Sequence, residues 1–128
     1  MIFKSEGDVR GWVRANAGRR VFWIEAARGG TDGLQDCLIV FDGRLVPVEL
    51  KIGNQKRHHV DYALRSSQKQ IAYRMSDLGV ESFVLTGIRG TSELTVETGY
   101  GAAQCWVIGV PHITTWGEFE AFVLERIG

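Results

Sequence analysis

At 128 residues, the chain is long enough for one domain with a real core and too short for two. Its 15 basic and 15 acidic side chains cancel, which weighs against a protein that coats nucleic acid through bulk electrostatics. No stretch approaches the ~18 consecutive apolar residues of a membrane helix, and the Met1 to Trp12 segment has neither the apolar core nor the cleavage site of a signal peptide, so a cytoplasmic protein with no membrane partner is expected.

Ser5 followed by Asp8 reads as an N-cap with an acid at N3, a variant of the capping box. A helix is therefore predicted from about Glu6 to Asn16, burying Val9, Trp12 and Val13 and ending at Gly18. Glu6 lies toward the apolar side of the first turn, where it either reaches a site beneath the helix or simply favours the positive end of the helix dipole. Arg10, Arg14, Arg19 and Arg20 form a basic cluster that is either a phosphate contact or a solvated face. Val21 to Ala27 reads as a strand. The loop Arg28-Gly29-Gly30-Thr31-Asp32-Gly33 follows, and its glycines suit either close backbone approach to a phosphate or a plain turn.

The most informative stretch is residues 33 to 53, GLQDCLIVFDGRLVPVELKIG. Asp42-Gly43 between two apolar runs predicts a two-residue hairpin, because a type I′ turn needs positive φ at both central positions. With that turn Phe41 faces Arg44, and counting back sets Asp36 opposite Glu49 in a non-hydrogen-bonded pair, where Cα atoms approach to about 4.5 Å. Lys51, two residues beyond Glu49, joins the same face. Two opposed carboxylates repel unless something positive lies between them, and converging oxygen ligands suit a hard cation such as Mg²⁺. The plainer alternative is a pair of strand-end acids neutralised by a surface lysine. Pro47 is the weak point of this register. It cannot donate to a ladder, and a bulge beside it would turn Asp36 and Glu49 to opposite faces.

A polar stretch follows from Asn54 to Arg65, carrying a second basic run, Asn54-Gln55-Lys56-Arg57-His58-His59. Ser66 or Ser67 is the predicted cap of a helix reaching Leu78 with Gly79 at its end and an apolar stripe of Ile71, Ala72, Met75 and Leu78. Gln68 extends that stripe toward the sheet, as a satisfied partial-core residue or as a group that orients a water or touches a phosphate. Val80 to Ile88 reads as a strand, and strand, helix and strand make a βαβ unit with parallel pairing. Two further strands, Leu94 to Thr98 and Gln104 to Val110, precede a helix capped by Thr114 or Thr115 and carrying Trp116, Phe119, Phe122, Val123 and Ile127. Trp106 and this last helix are either core or dimer surface. Cys37 and Cys105 lie in apolar runs that suit buried free thiols, and no Cys/His spacing matches a zinc site.

Helix, strand, loop, Asp, hairpin, Glu-x-Lys, helix with an early Gln, strand: this order resembles the PD-(D/E)XK nuclease superfamily. The motif residues are Asp36, in Leu34-Gln35-Asp36 where the family often has a Pro before the Asp, and Glu49-Leu50-Lys51. Within it the chain is most similar to the VRR-type and Holliday-junction-resolvase-like nucleases, small and often phage-encoded, which share a Gly-rich stretch before the Asp and a Gln opening the next helix.

The resemblance covers about residues 5 to 88 of a single 1–128 domain, with 89–128 as elaboration. It implies an α/β fold bordering on α+β, a restriction-endonuclease-like αβββαβ core with a mixed central sheet flanked by helices. It also implies Mg²⁺ or Mn²⁺ held by Asp36, Glu49 and the Leu50 carbonyl, with Glu6 adding a ligand directly or through water. Lys51 would position the attacking water and Gln68 would support it, with no organic cofactor. DNA, duplex or branched, is the implied partner, contacted through Arg10, Arg14, Arg28, Lys56, Arg57 and Lys69, and junction cleavage would imply a homodimer. The implied activity is endonucleolytic. Exonuclease or nicking activity, and a non-catalytic nucleic-acid-binding or assembly module, are the alternatives.

Overall fold

A computed structural model of the chain describes residues 1–24, 36–54, 66–98 and 108–128, with 66, 69 and 108–112 described by backbone alone. Among the described residues three α-helices accompany a mixed sheet of six strands in the spatial order of the sequence. Helix α1 is Glu6–Ala17, β1 Val21–Trp23, β2 Cys37–Phe41, β3 Arg44–Gly53, α2 Ser66–Asp77, β4 Phe83–Ile88, β5 Leu94–Thr98, β6 Ile108–Ile113 and α3 Trp116–Ile127. The fold is α/β with a central mixed sheet: β3 and β4 are parallel across the α2 connection, and every other neighbouring pair is antiparallel.

Local chemistry sets the ends of α1. Ser5 and Asp8 form a reciprocal capping box, and the chain leaves the helix at Gly18 with φ 55°. The hairpin turn has φ 50° at Asp42 and 77° at Gly43, both in the left-handed region that a type I′ turn requires. Its ladder runs Phe41↔Arg44, Val40↔Leu45, Ile39↔Val46, Leu38↔Pro47 and Cys37↔Val48 without a shift. Pro47 therefore causes no bulge. It occupies a pair that exchanges no bonds with β2, and pairing with β4 begins only at Val48↔Phe83, so its missing N–H removes no bond there.

Strand alternation separates two faces. Cys37, Ile39, Phe41, Val46, Val48, Leu50, Phe83, Leu85, Leu94, Val96 and Ile113 point to one side. There they form a continuous core with Phe3, Val9, Val13 and Ala17 of the N-terminal segment and Phe119 and Val123 of α3. Trp12 is half-buried against this core, its ring 6.5 Å from Phe3 and 5.5 Å from Trp116. Helix α1 crosses β4 at Gly87, where an added Cβ would lie 2.7 Å from Val9 Cγ2. That close approach brings the first two turns of α1 down onto the sheet. Glu49, Lys51 and their row project from the opposite face, where α2 meets them.

Several sequence expectations need correction. Helix α2 ends at Asp77, so Leu78 is not part of its apolar stripe and is 80% exposed. The chain turns through Gly79 (φ 85°), and Val80 precedes the strand rather than opening it. Ser66 and Ser67 both lie inside the first turn of α2, and the preceding residue falls outside the described part. Strand β6 runs through Pro111 to Ile113 rather than stopping at Val110. An edge position tolerates the proline. Of the two caps expected for α3, Thr115 is the one used, in a capping box with Glu118. No described helix is long and apolar enough to cross a membrane. The expected loop at residues 28–33, the polar stretch at 55–65, Cys105 and Trp106 lie outside the described residues.

Candidate active site

The site forms where β2 leaves β3. Antiparallel alternation directs the N–H and C=O of Val46, Val48 and Leu50 toward β2. The ladder ends at Cys37↔Val48, and the next step sets Asp36 beside Glu49. The Leu50 N–H, which would otherwise seek a β2 carbonyl, donates instead to Asp36 Oδ2 at 2.8 Å. The same geometry turns the Leu50 carbonyl to the Asp36 side of the strand. Asp36 is also fixed through its backbone, its carbonyl accepting from the Ile24 N–H at 2.8 Å just past the end of β1.

Glu49 is buried, 5% exposed, and lies opposite Asp36 at the next step of the ladder. Burial pushes the Glu49 pKa up to about 8, and the negative charge of Asp36 adds to the rise while Lys51 opposes it. Glu49 therefore holds its proton at neutral pH. Gln68, buried in the first turn of α2, donates its Nε2 to Glu49 Oε1 at 2.7 Å. Lys51 Nζ stands 3.7 Å from the same oxygen. The sequence expectation that Gln68 faces the sheet holds, and the structure brings Asp36, Glu49, Lys51 and Gln68 together.

Glu6, in the first turn of α1, lies within electrostatic reach of Asp36 and Lys51. Burial and then the charge of Asp36 raise its pKa, while Lys51 and Arg10 lower it. Three carboxyls therefore feel two cations, and that excess of negative charge adds to burial, the larger cause, in keeping a proton on Glu49. The donor set, two facing carboxyls and an adjacent backbone carbonyl, suits a hard divalent cation. Among the described residues no group of three or more His, Cys, Asp or Glu that could hold a metal is present. Mg²⁺ asks for less, since it typically takes one or two carboxylates and retains waters.

Sequence reasoning named Arg10 and Arg14 as basic contacts but missed Trp23, the ring on which they meet. Arg10 Nη1 lies 3.6 Å from Asp36 Oδ1, and Trp23 carries the Arg10 guanidinium 4.4 Å above its ring, with that of Arg14 5.2 Å from the same ring. The four-residue spacing of Arg10 and Arg14 puts them on one face of α1, a signal available beforehand. Their convergence on the end of β1 was not. Cys37 is a buried free thiol, as expected, with its pKa pushed up to about 12 by burial first and the charge of Asp36 second. Arg28, Lys56 and Arg57 lie outside the described residues, and only the backbone of Lys69 is placed, in α2. No protein-family model matches the chain, and neither the curated proteins nor the solved structures include a match to it.

Proposed function

We propose that the protein is a divalent-metal-dependent deoxyribonuclease of the PD-(D/E)XK kind, cytoplasmic, that cuts internal phosphodiester bonds and favours branched DNA. The observation that carries this reading is the Asp36–Glu49 pair, with Gln68 and Lys51 both at Glu49 Oε1. A binding module gains nothing from two carboxyls set opposite one another with Glu49 buried.

Asp36, Glu49 and the Leu50 carbonyl would hold Mg²⁺ or Mn²⁺, with Glu6 joining directly or through water. The cation supplies Lewis-acid stabilisation of the phosphate oxygens and lowers the pKa of an attacking water. The chain's own residues do the positioning. Lys51 holds the attacking water beside Glu49 and stabilises negative charge as the water oxygen bonds to phosphorus. The water gives up a proton to solvent, the P–O bond opposite breaks, and the departing oxygen takes a proton from solvent. Gln68 fixes the Glu49 carboxylate so that its lone pairs stay aimed at the site. Arg10 and Arg14, together with Arg28, Lys56, Arg57 and Lys69, supply charge for the DNA backbone.

The test is a substrate panel. Plasmid, linear duplex, single-stranded and four-way-junction DNA are incubated with Mg²⁺, Mn²⁺ or EDTA, using wild type, Asp36→Ala and Glu49→Ala. Internal cleavage that needs metal and both acids supports the reading. Paired symmetrical cuts in the junction identify a resolvase acting as a homodimer. Cleavage confined to ends or to one strand makes it an exonuclease or a nicking enzyme. DNA binding without cleavage under every condition, unchanged by either substitution, identifies a non-catalytic module instead.

A further inference from the structure

The Arg10–Trp23–Arg14 stack is built more elaborately than packing requires. Trp23 closes β1, its strand partner is Cys37, and the next backbone bond joins Ile24 to Asp36. The indole is therefore tied to the acid at the centre of the site. Two guanidiniums from successive turns of α1 lie against it. Such contacts attract a cation while leaving its outward N–H groups free to bond elsewhere. Arg14 is exposed and forms no ion pair with a carboxylate among the described residues. Arg10 reaches one carboxylate, Asp36, at 3.6 Å, longer than a charge-assisted hydrogen bond of about 2.7–2.9 Å. The stack is thus a shelf that presents one uncommitted cation and one loosely committed cation, spaced along a helix and ending at Asp36.

We propose that Trp23, Arg10 and Arg14 form a clamp for two phosphates of a nucleic-acid backbone, and that Arg10 stands in for the divalent cation until metal and substrate arrive. This rests on the nuclease reading above. With the site empty, the Arg10 guanidinium supplies positive charge to Asp36. When a divalent ion takes the Asp36 carboxylate, Arg10 is released from it and, still braced on Trp23, turns its N–H groups to a phosphate. Arg14 holds a second phosphate one helical turn away. The arginine fork suits phosphate oxygens in a way that a lysine point charge does not.

Two measurements on the full chain test this, both requiring folded variants by circular dichroism. The first is Mn²⁺ binding without DNA, by calorimetry. Arg10→Gln should bind Mn²⁺ several-fold more tightly than wild type, because a competing cation is gone, and Arg14→Gln should bind it as wild type does. The second is binding of a fluorescein-labelled DNA duplex with Mn²⁺ present, in a Lys51→Ala background that leaves the substrate uncut. Arg10→Gln and Arg14→Gln should each weaken binding and each lower the slope of log affinity against log salt by about 1. Trp23→Leu should weaken DNA binding with Arg10 and Arg14 intact, and Arg10→Lys should not restore it. If Asp36→Asn and Glu49→Gln leave Mn²⁺ binding as in wild type, the nuclease reading falls and the clamp with it. If those two abolish Mn²⁺ binding while Arg10→Gln leaves either the Mn²⁺ affinity or the salt slope unchanged, the clamp alone is overturned.

Discussion

The Leu50 N–H donates to Asp36 Oδ2 at 2.8 Å, so the strand that carries Glu49 also aims the acid opposite it. Asp36 therefore has a structural duty and an electrostatic one. Asparagine preserves an acceptor for that N–H and removes the charge, whereas alanine strands the donor, at a cost of about 1–3 kcal/mol for a buried unsatisfied group. Urea denaturation should find Asp36→Ala less stable than Asp36→Asn by about 1–2 kcal/mol, with both variants equally inactive. Equal stabilities would mean that water replaces the carboxylate without loss.

Glu49 predicts how stability depends on pH. Its pKa stands at about 8 in the folded protein against 4.5 for an ordinary glutamate. Between those values the folded state holds a proton that the unfolded chain has lost, so raising the pH favours unfolding. The contribution is fully present below about 4.5 and is lost as the pH rises through about 8. A tenfold change in proton affinity is worth about 1.4 kcal/mol, so the metal-free protein should lose a few kcal/mol across that window. Melting in EDTA from pH 5 to 8.5 should show a falling Tm, flattened in Glu49→Gln and offset by Mn²⁺ most at the alkaline end. A Tm that rises over that range would contradict the assignment.

Gln68 is the tether of Glu49, donating at 2.7 Å from α2. Groups that orient a metal ligand in this way typically matter by about 10–100-fold in metal affinity or activity. Gln68→Leu should therefore lower cleavage by about 10–100-fold while leaving DNA affinity in the absence of metal unchanged. Steady-state cleavage and anisotropy binding, run in parallel, separate the two effects.

Gly87 tests whether the seat of α1 on the sheet matters. A Cβ there would sit 2.7 Å from Val9 Cγ2 and 3.1 Å from Phe3 Cγ, both in the buried core. Gly87→Ala should destabilise the fold by about 1–3 kcal/mol, the usual range for overpacking. It should also reduce cleavage more than stability alone explains, because α1 carries Glu6 and Arg10. Denaturation and activity measured well below the Tm distinguish the two.

The parts of this molecule that were legible in sequence are those decided within a few residues. The Ser5–Asp8 box, the Asp42-Gly43 turn and the two-residue side-chain period set the hairpin and hence the facing acids. Pro47 was the one local doubt, and the ladder shows it in a pair that asks nothing of its missing N–H. Gln68 was placed correctly because a helical stripe has a direction. What the sequence did not show depends on how distant elements meet. The meeting of Arg10, Arg14 and Trp23 follows from α1 lying across the start of the sheet, and no spacing encodes it. Leu78 misled for the opposite reason: it continues the apolar period of α2 and its N–H still bonds the Arg74 carbonyl, but the chain turns away at Gly79.

The most direct test of the central claim is conversion of supercoiled plasmid to nicked or linear product in Mg²⁺, followed in time for wild type, Asp36→Ala and Glu49→Ala. The account predicts cleavage by wild type that stops in EDTA and is lost in both variants. A folded wild-type protein that leaves the plasmid intact in Mg²⁺ and Mn²⁺, or one whose cleavage survives loss of either acid, would contradict it.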